Sequence, residues 1–142
     1  MHEGRWDISS AGHIEAGKSP LEAAYSEIAE ELGIDLQSIE ESNNTLFNGG
    51  LQFAFIIPAE QALMGGCNAF EHVYFLVLNE NSDLKLSLGS EEVTDVAWMD
   101  CKKLLQSLRS RDDKFAPRTL DYVNAMEEYT NRIFADQIND NA

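Results

Sequence analysis

The stretch from Ser19 to Gly33 constrains the fold more than any other part of the chain. Ser19 offers an N-cap oxygen, Pro20 suits the first helical position, and Glu22 stands where a capping box needs its acid. Gly33 supplies the left-handed stop at the far end. Between these signals Leu21, Ala24, Tyr25, Ile28 and Leu32 recur at helical spacing. The pattern predicts an amphipathic helix over Pro20–Leu32 with one face committed to a core.

Beyond it the period changes. Leu51–Ile57 and His72–Leu78 are rich in β-branched and aromatic residues, and Asn48-Gly49-Gly50 is a turn signal before the first. They read as two strands joined by a loop over Pro58–Phe70. Leu84, Leu86 and Leu88 alternate with polar residues, which predicts a short strand. Val93–Met99 reads as another, ending at Asp100, a cap for a helix over Cys101–Arg109. After Phe115-Ala116-Pro117 a long amphipathic helix is expected over about residues 117–136. Its apolar face would carry Leu120, Val123, Met126, Ile133 and Phe134. Helix, strands and helices again imply one α/β or α+β domain over residues 1–142 with a mostly buried sheet.

Charge limits the partners. The chain has 25 Asp and Glu against 10 Lys and Arg, a net charge of −15. Such a surface repels nucleic-acid backbones and anionic membranes. Phosphorylated small molecules remain open, because a bound cation reverses the local field. Cys67 and Cys101 form no disulfide framework, no apolar stretch is long enough to span a bilayer, and the first residues are not a signal peptide. A reducing, cytoplasmic setting is the expectation.

Within the first helix, Glu27, Glu30 and Glu31 lie at i, i+3 and i+4. This brings carboxylates within about 5–6 Å, and each like-charge pair costs roughly 0.2–0.5 kcal/mol. Glu30 and Glu31 also occupy the last turn, where the helix dipole disfavours anions. No Lys or Arg lies within four positions of the three; Lys18 is nine residues before Glu27. A divalent cation would remove the penalty, and oxygen-only donors suit Mg²⁺ or Mn²⁺. The competing reading is a solvated acidic face.

The residues in front of the helix weigh against that competitor. From Gly12 the chain reads Gly-His-Ile-Glu-Ala-Gly-Lys-Ser-Pro-Leu-Glu-Ala-Ala-Tyr-Ser-Glu-Ile-Ala-Glu-Glu-Leu-Gly-Ile. This resembles the Nudix box, G-x5-E-x7-R-E-U-x-E-E-x-G-U, with U aliphatic. Gly12, Glu27, Ile28, Glu30, Glu31, Gly33 and Ile34 fill their slots across residues 12–34. The resemblance implies a Nudix-type α/β/α sandwich with a mixed sheet. It implies a diphosphate held beside metal ions, with Glu27, Glu30, Glu31 and the Ala11 carbonyl as ligands and Glu27 and Glu31 as catalytic residues. Lys18 stands where the box has its first Glu, and Ser26 where it has Arg. In the family those two brace the loop and helix, so their loss weakens support for the key glutamate.

The segment Trp6-Asp7-Ile8-Ser9-Ser10-Ala11-Gly12-His13, with Glu92-Val93-Thr94-Asp95-Val96-Ala97-Trp98 downstream, resembles the branch related to isopentenyl-diphosphate isomerase. Isomerases of that branch need a Cys in the loop before the box; here it reads Ser9-Ser10-Ala11. Members also carry several dozen residues before the Trp-Asp segment, so the expectation is either a truncated form lacking its first strands or a sheet completed some other way, with homodimerisation left open. His13, Lys18 and Glu92 are the candidate substrate contacts; either Glu91 or Glu92 could serve as a further metal ligand or base, against a reading as surface acids. Glu71 and His72 are weaker candidates near the presumed cleft, and Trp6 a stacking candidate against a core role. The function expected is metal-dependent hydrolysis of a diphosphate linked to an organic group such as a nucleoside. The rival is a non-catalytic Nudix-like domain that binds a ligand or partner.

Overall fold

A computed structural model of the chain describes residues 4–42, 46–59, 69–80, 82–89 and 93–140. In order, the elements are α1 (Pro20–Leu32), α2 (Leu36–Glu41), β1 (Gln52–Pro58), β2 (Phe70–Phe75), α3 (Cys101–Arg109) and α4 (Leu120–Asp140). Both helices with explicit caps form at the bounds their signals predict. The Ser19 hydroxyl accepts from Glu22 N–H at 3.2 Å, and Glu22 accepts from Ser19 N–H at 2.8 Å, closing the capping box of α1. Gly33 ends it at φ 68°, and a Cβ there would stand 2.5 Å from the Ser87 carbonyl oxygen. Glycine is required at that point on both counts. Asp100 caps α3 by accepting from Lys103 N–H at 3.0 Å. The helix α2 was not anticipated. Its cap is Asp35, which accepts from the Ser38 backbone and hydroxyl.

The chain falls into two compact units, each assembled from separated segments. One comprises residues 8–53 and 74–97. Its core joins Ile28 and Leu32 of α1 to Ile34, Leu36 and Phe47, with Tyr25, Leu46, Leu84 and Leu86 packed against them. The other comprises residues 1–7, 54–73 and 98–142, with α3 and α4. There Trp6 pairs with Phe115 through Trp6 N–H to Lys114 O and Ala116 N–H to Trp6 O, both 2.8 Å. Tyr122 meets Phe55 edge-on at 5.3 Å between ring centres. Burial pushes its phenol up to about 12.

Helix and strand content match the α/β expectation, and β1 and β2 pair in a small antiparallel sheet. Two expected strands are corrected. Residues 84–88 and 93–99 carry no strand pairing. Leu84 and Leu86 do turn inward while Lys85 and Ser87 face out. Alternation reports one-sided burial, and a ladder additionally needs a neighbour to bond with. From Thr94 to Met99 every residue is exposed, Trp98 at 85%. The face of α4 also differs: Tyr122, Val123 and Thr130 are buried, whereas Leu120 is 60% and Phe134 48% exposed. Trp6, at 40%, is not core either. Among the described residues no helix is long and apolar enough to cross a membrane.

Candidate functional site

The loop before α1 and two glutamates of α1 meet at Ala11 and Gly12. Glu27 and Glu31 are one helical turn apart, so both side chains reach the same edge of the helix. A Cβ added to Gly12 would lie 1.8 Å from Glu27 Oε1 and 2.6 Å from Oε2, so the Glu27 carboxylate occupies the space that a glycine leaves open. Next to it, Ala11 N–H donates to Glu31 Oε2 at 3.1 Å, and Glu31 is only 6% exposed. Glu30 faces solvent. Three acids that looked equivalent by spacing are thus separated: two address the loop and one does not. Ser10, the preceding residue, has a buried hydroxyl with no hydrogen-bond partner among the described residues. That group was not singled out from sequence; its only signal was a hydroxyl residue beside Ala11-Gly12.

These features fit a divalent cation. Among the described residues no three His, Cys, Asp or Glu side chains converge into a complete metal cage. Mg²⁺ does not ask for one, since it is commonly bound through one or two carboxylates, several waters and substrate phosphates. Two carboxylates against a polar loop edge, with an orphaned hydroxyl on the preceding residue, are the kinds of donor such a set would draw on.

The remaining candidates are placed less tightly. Lys18 Nζ lies 3.0 Å from Glu15 Oε2, and that partner, by hydrogen bond and charge, holds the ammonium above its ordinary range. Lys18 is therefore engaged locally, on an exposed loop. His13 is exposed and Ser26 half-buried. Glu92, with Glu91, lies outside the described residues, as does Cys67. Glu71 and His72 are on β2, in the segment of chain assigned to the other unit. Glu71 is pushed up mainly by burial and by the charge of Asp7, against the lowering influence of Arg118. The His72 Nδ1 is buried without a hydrogen-bond partner among the described residues.

Comparison with known proteins bears on the same segment. The family model described as NUDIX domain matches residues 1–119, a span that includes both Gly12 and all of α1. Nudix hydrolase 3 of Arabidopsis thaliana is 30% identical over 118 residues, covering 80% of this chain but 14% of its own length. The chain thus spans about a seventh of that curated relative. No solved structure matches the chain significantly. With the capped helix, its glutamates and the loop they address all inside the matched span, the chain belongs to the Nudix family.

Proposed function

We propose that this protein hydrolyses a diphosphate linked to an organic group, a nucleoside diphosphate derivative or a similar compound, with Mg²⁺ or Mn²⁺. The single observation that carries this reading is the convergence of Glu27 and Glu31 on Ala11 and Gly12. Glu27 and Glu31, with the Ala11 carbonyl, would hold the metal, and Glu30, which faces solvent, would add negative charge beside it. When bound, the ion supplies charge neutralisation for the phosphates and a lowered barrier for water attack. The helix contributes position: Glu27 is kept in place by the gap at Gly12, and Glu31 by the Ala11 N–H. The two compact units are taken as parts of one Nudix domain, because the matched span runs through both.

A second reading, a Nudix-like module that binds without turnover, is favoured by the Lys18–Glu15 pair and by Ser26. Neither residue offers the bracing that the box residues in those slots provide. The test is phosphate release from a panel of nucleoside diphosphate derivatives and prenyl diphosphates, with and without Mg²⁺. Metal-dependent turnover is expected, lost in Glu27→Gln. Gly12→Ala should cut it by about 100-fold, since its Cβ must displace the Glu27 carboxylate by an ångström or more. Metal binding without turnover of any substrate would establish the binding module instead.

A further inference from the structure

The second unit holds a concentration of positive charge that the proposed reaction does not use. Of the chain's ten Lys and Arg, six fall between positions 102 and 118: Lys102, Lys103, Arg109, Arg111, Lys114 and Arg118. Arg109 is paired with Glu127 and Arg118 with Asp7. Arg111 is not, and neither is Arg5. Among the described residues these two side chains have no ion pair or hydrogen bond, in a chain whose acids outnumber its bases 25 to 10. Both line one cavity of about 120 Å³, together with Ser107, Asp112, Asp113 and Phe115.

Backbone geometry puts them there. The Trp6–Phe115 bridge fixes the residue beside Arg5 against the 114–116 segment through two bonds of 2.8 Å. On the other wall, Asp112 N–H donates to Ser107 O at 3.0 Å and Phe115 N–H to Asp112 O at 3.1 Å, folding the loop after α3 back on itself. Within that loop Arg111 has φ 58°, and it is the non-glycine residue with left-handed backbone among those described. Glycine or asparagine adopts that conformation more readily. Asp112 Oδ1 accepts from Lys114 N–H at 3.0 Å, and Asp112 and Asp113 together put two carboxylates on the cavity wall beside the two guanidinia.

We propose that Arg5 and Arg111 form a binding site for one small tetrahedral oxyanion of the phosphate class. Guanidinium forks match phosphate oxygens two at a time and stay charged at any working pH. The cavity of about 120 Å³ has room for one phosphate group. Inorganic phosphate satisfies this, as does the terminal group of a phosphomonoester whose remainder projects into solvent. Asp112 and Asp113 are the built-in competitors for the two cations.

The experiment is a calorimetric and NMR titration of the full chain with inorganic phosphate, glycerol phosphate and chloride at matched ionic strength. EDTA is present throughout, so divalent metal at the glutamates contributes nothing. Saturable phosphate binding is expected, weakened about 10-fold or more by Arg5→Gln and by Arg111→Gln. Arg111→Gly, which keeps the left-handed backbone and removes the cation, should bind as poorly as Arg111→Gln. Asp113→Asn should tighten binding, and Glu27→Gln should leave it unchanged. Equal affinity for glycerol phosphate identifies the terminal group as the ligand; preference for inorganic phosphate identifies the free ion. Binding no tighter than chloride, or unchanged in both arginine variants, overturns the site. Loss in Glu27→Gln alone overturns it in favour of the carboxylate loop.

Discussion

Glu31 and Arg118 are each 6% exposed, one in each compact unit, and the chain treats them differently. Arg118 has a counter-charge: its guanidinium lies 2.5 Å from Asp7 Oδ1 and 5.4 Å from the centre of the Tyr122 ring. Glu31 has a backbone N–H and, among the described residues, no cation; Glu27 and Glu30 add charge of its own sign. A buried charge must be matched, because leaving one unpaired costs several kcal/mol or forces it to neutralise. The matched charge in the Arg118 region serves stability. The unmatched one in the Glu31 region is where the proposed metal ion would be accommodated. Burial alone does not tell a structural charge from a functional one; the partner does.

The largest effect should come from breaking the matched side. Asp7→Asn strips the counter-charge and leaves Arg118 buried, a loss of about 3 kcal/mol in urea denaturation. This is the low end of the usual range, since Asp7 is itself 41% exposed and Glu71 is close enough to Arg118 to act on it. A cost under 1 kcal/mol would mean that the buried arginine does not depend on its partner, and the contrast with Glu31 would dissolve.

The unmatched side should behave in the opposite sense. Glu31→Gln keeps an oxygen for the Ala11 N–H and removes the charge. Metal-free stability should hold or rise, by up to about 1 kcal/mol. What should vanish is stabilisation by Mg²⁺, which for the parent chain amounts to about 2.7 kcal/mol at a hundredfold excess over Kd. Thermal melts with and without Mg²⁺ separate the two quantities. A metal-free Glu31→Gln protein markedly less stable than its parent would make Glu31 a structural residue like Arg118.

Sequence carried the Glu31 region and missed the Arg118 region for a physical reason. Everything that builds α1 is local: Ser19 and Glu22 are three residues apart, Gly33 follows Leu32, and the glutamates recur within one turn. The same holds for Asp100 and α3. The signal for α2, Asp35 three residues before Ser38, is equally local, but the helix it starts is only 6 residues long. By contrast Asp7 and Arg118 are 111 residues apart, and no spacing rule joins them. Residues 84–88 and 93–99 failed in the same way: their alternation was legible, while a ladder partner is a property of the whole fold. Within the site, spacing found Glu27, Glu30 and Glu31 but not which two face the loop, because that depends on how the loop at Ala11-Gly12 lies.

The smallest expected effect sharpens the comparison from the matched side. Glu71 is the second acid near Arg118, and burial is the main reason its carboxyl sits above the ordinary value of 4.5; Asp7 pushes it further up and Arg118 pulls it down. Between 4.5 and that raised value the native state holds more of this proton than the unfolded chain does. Stability from this group is therefore fully present below 4.5 and is lost as pH rises through the raised value. Because Glu71 is only half buried, solvent screens the effect and it should be modest. Glu71→Gln should flatten this part of the pH profile and leave stability at pH 7 equal to or above that of the parent. Asp7→Asn removes an upward push while Arg118 keeps its downward pull, so the window should narrow even as overall stability falls. Urea melts of the parent and both variants across pH 4.5 to 7 read this directly. An unchanged slope in Glu71→Gln would assign the profile to other acids and leave Asp7 as the acid that matters to Arg118.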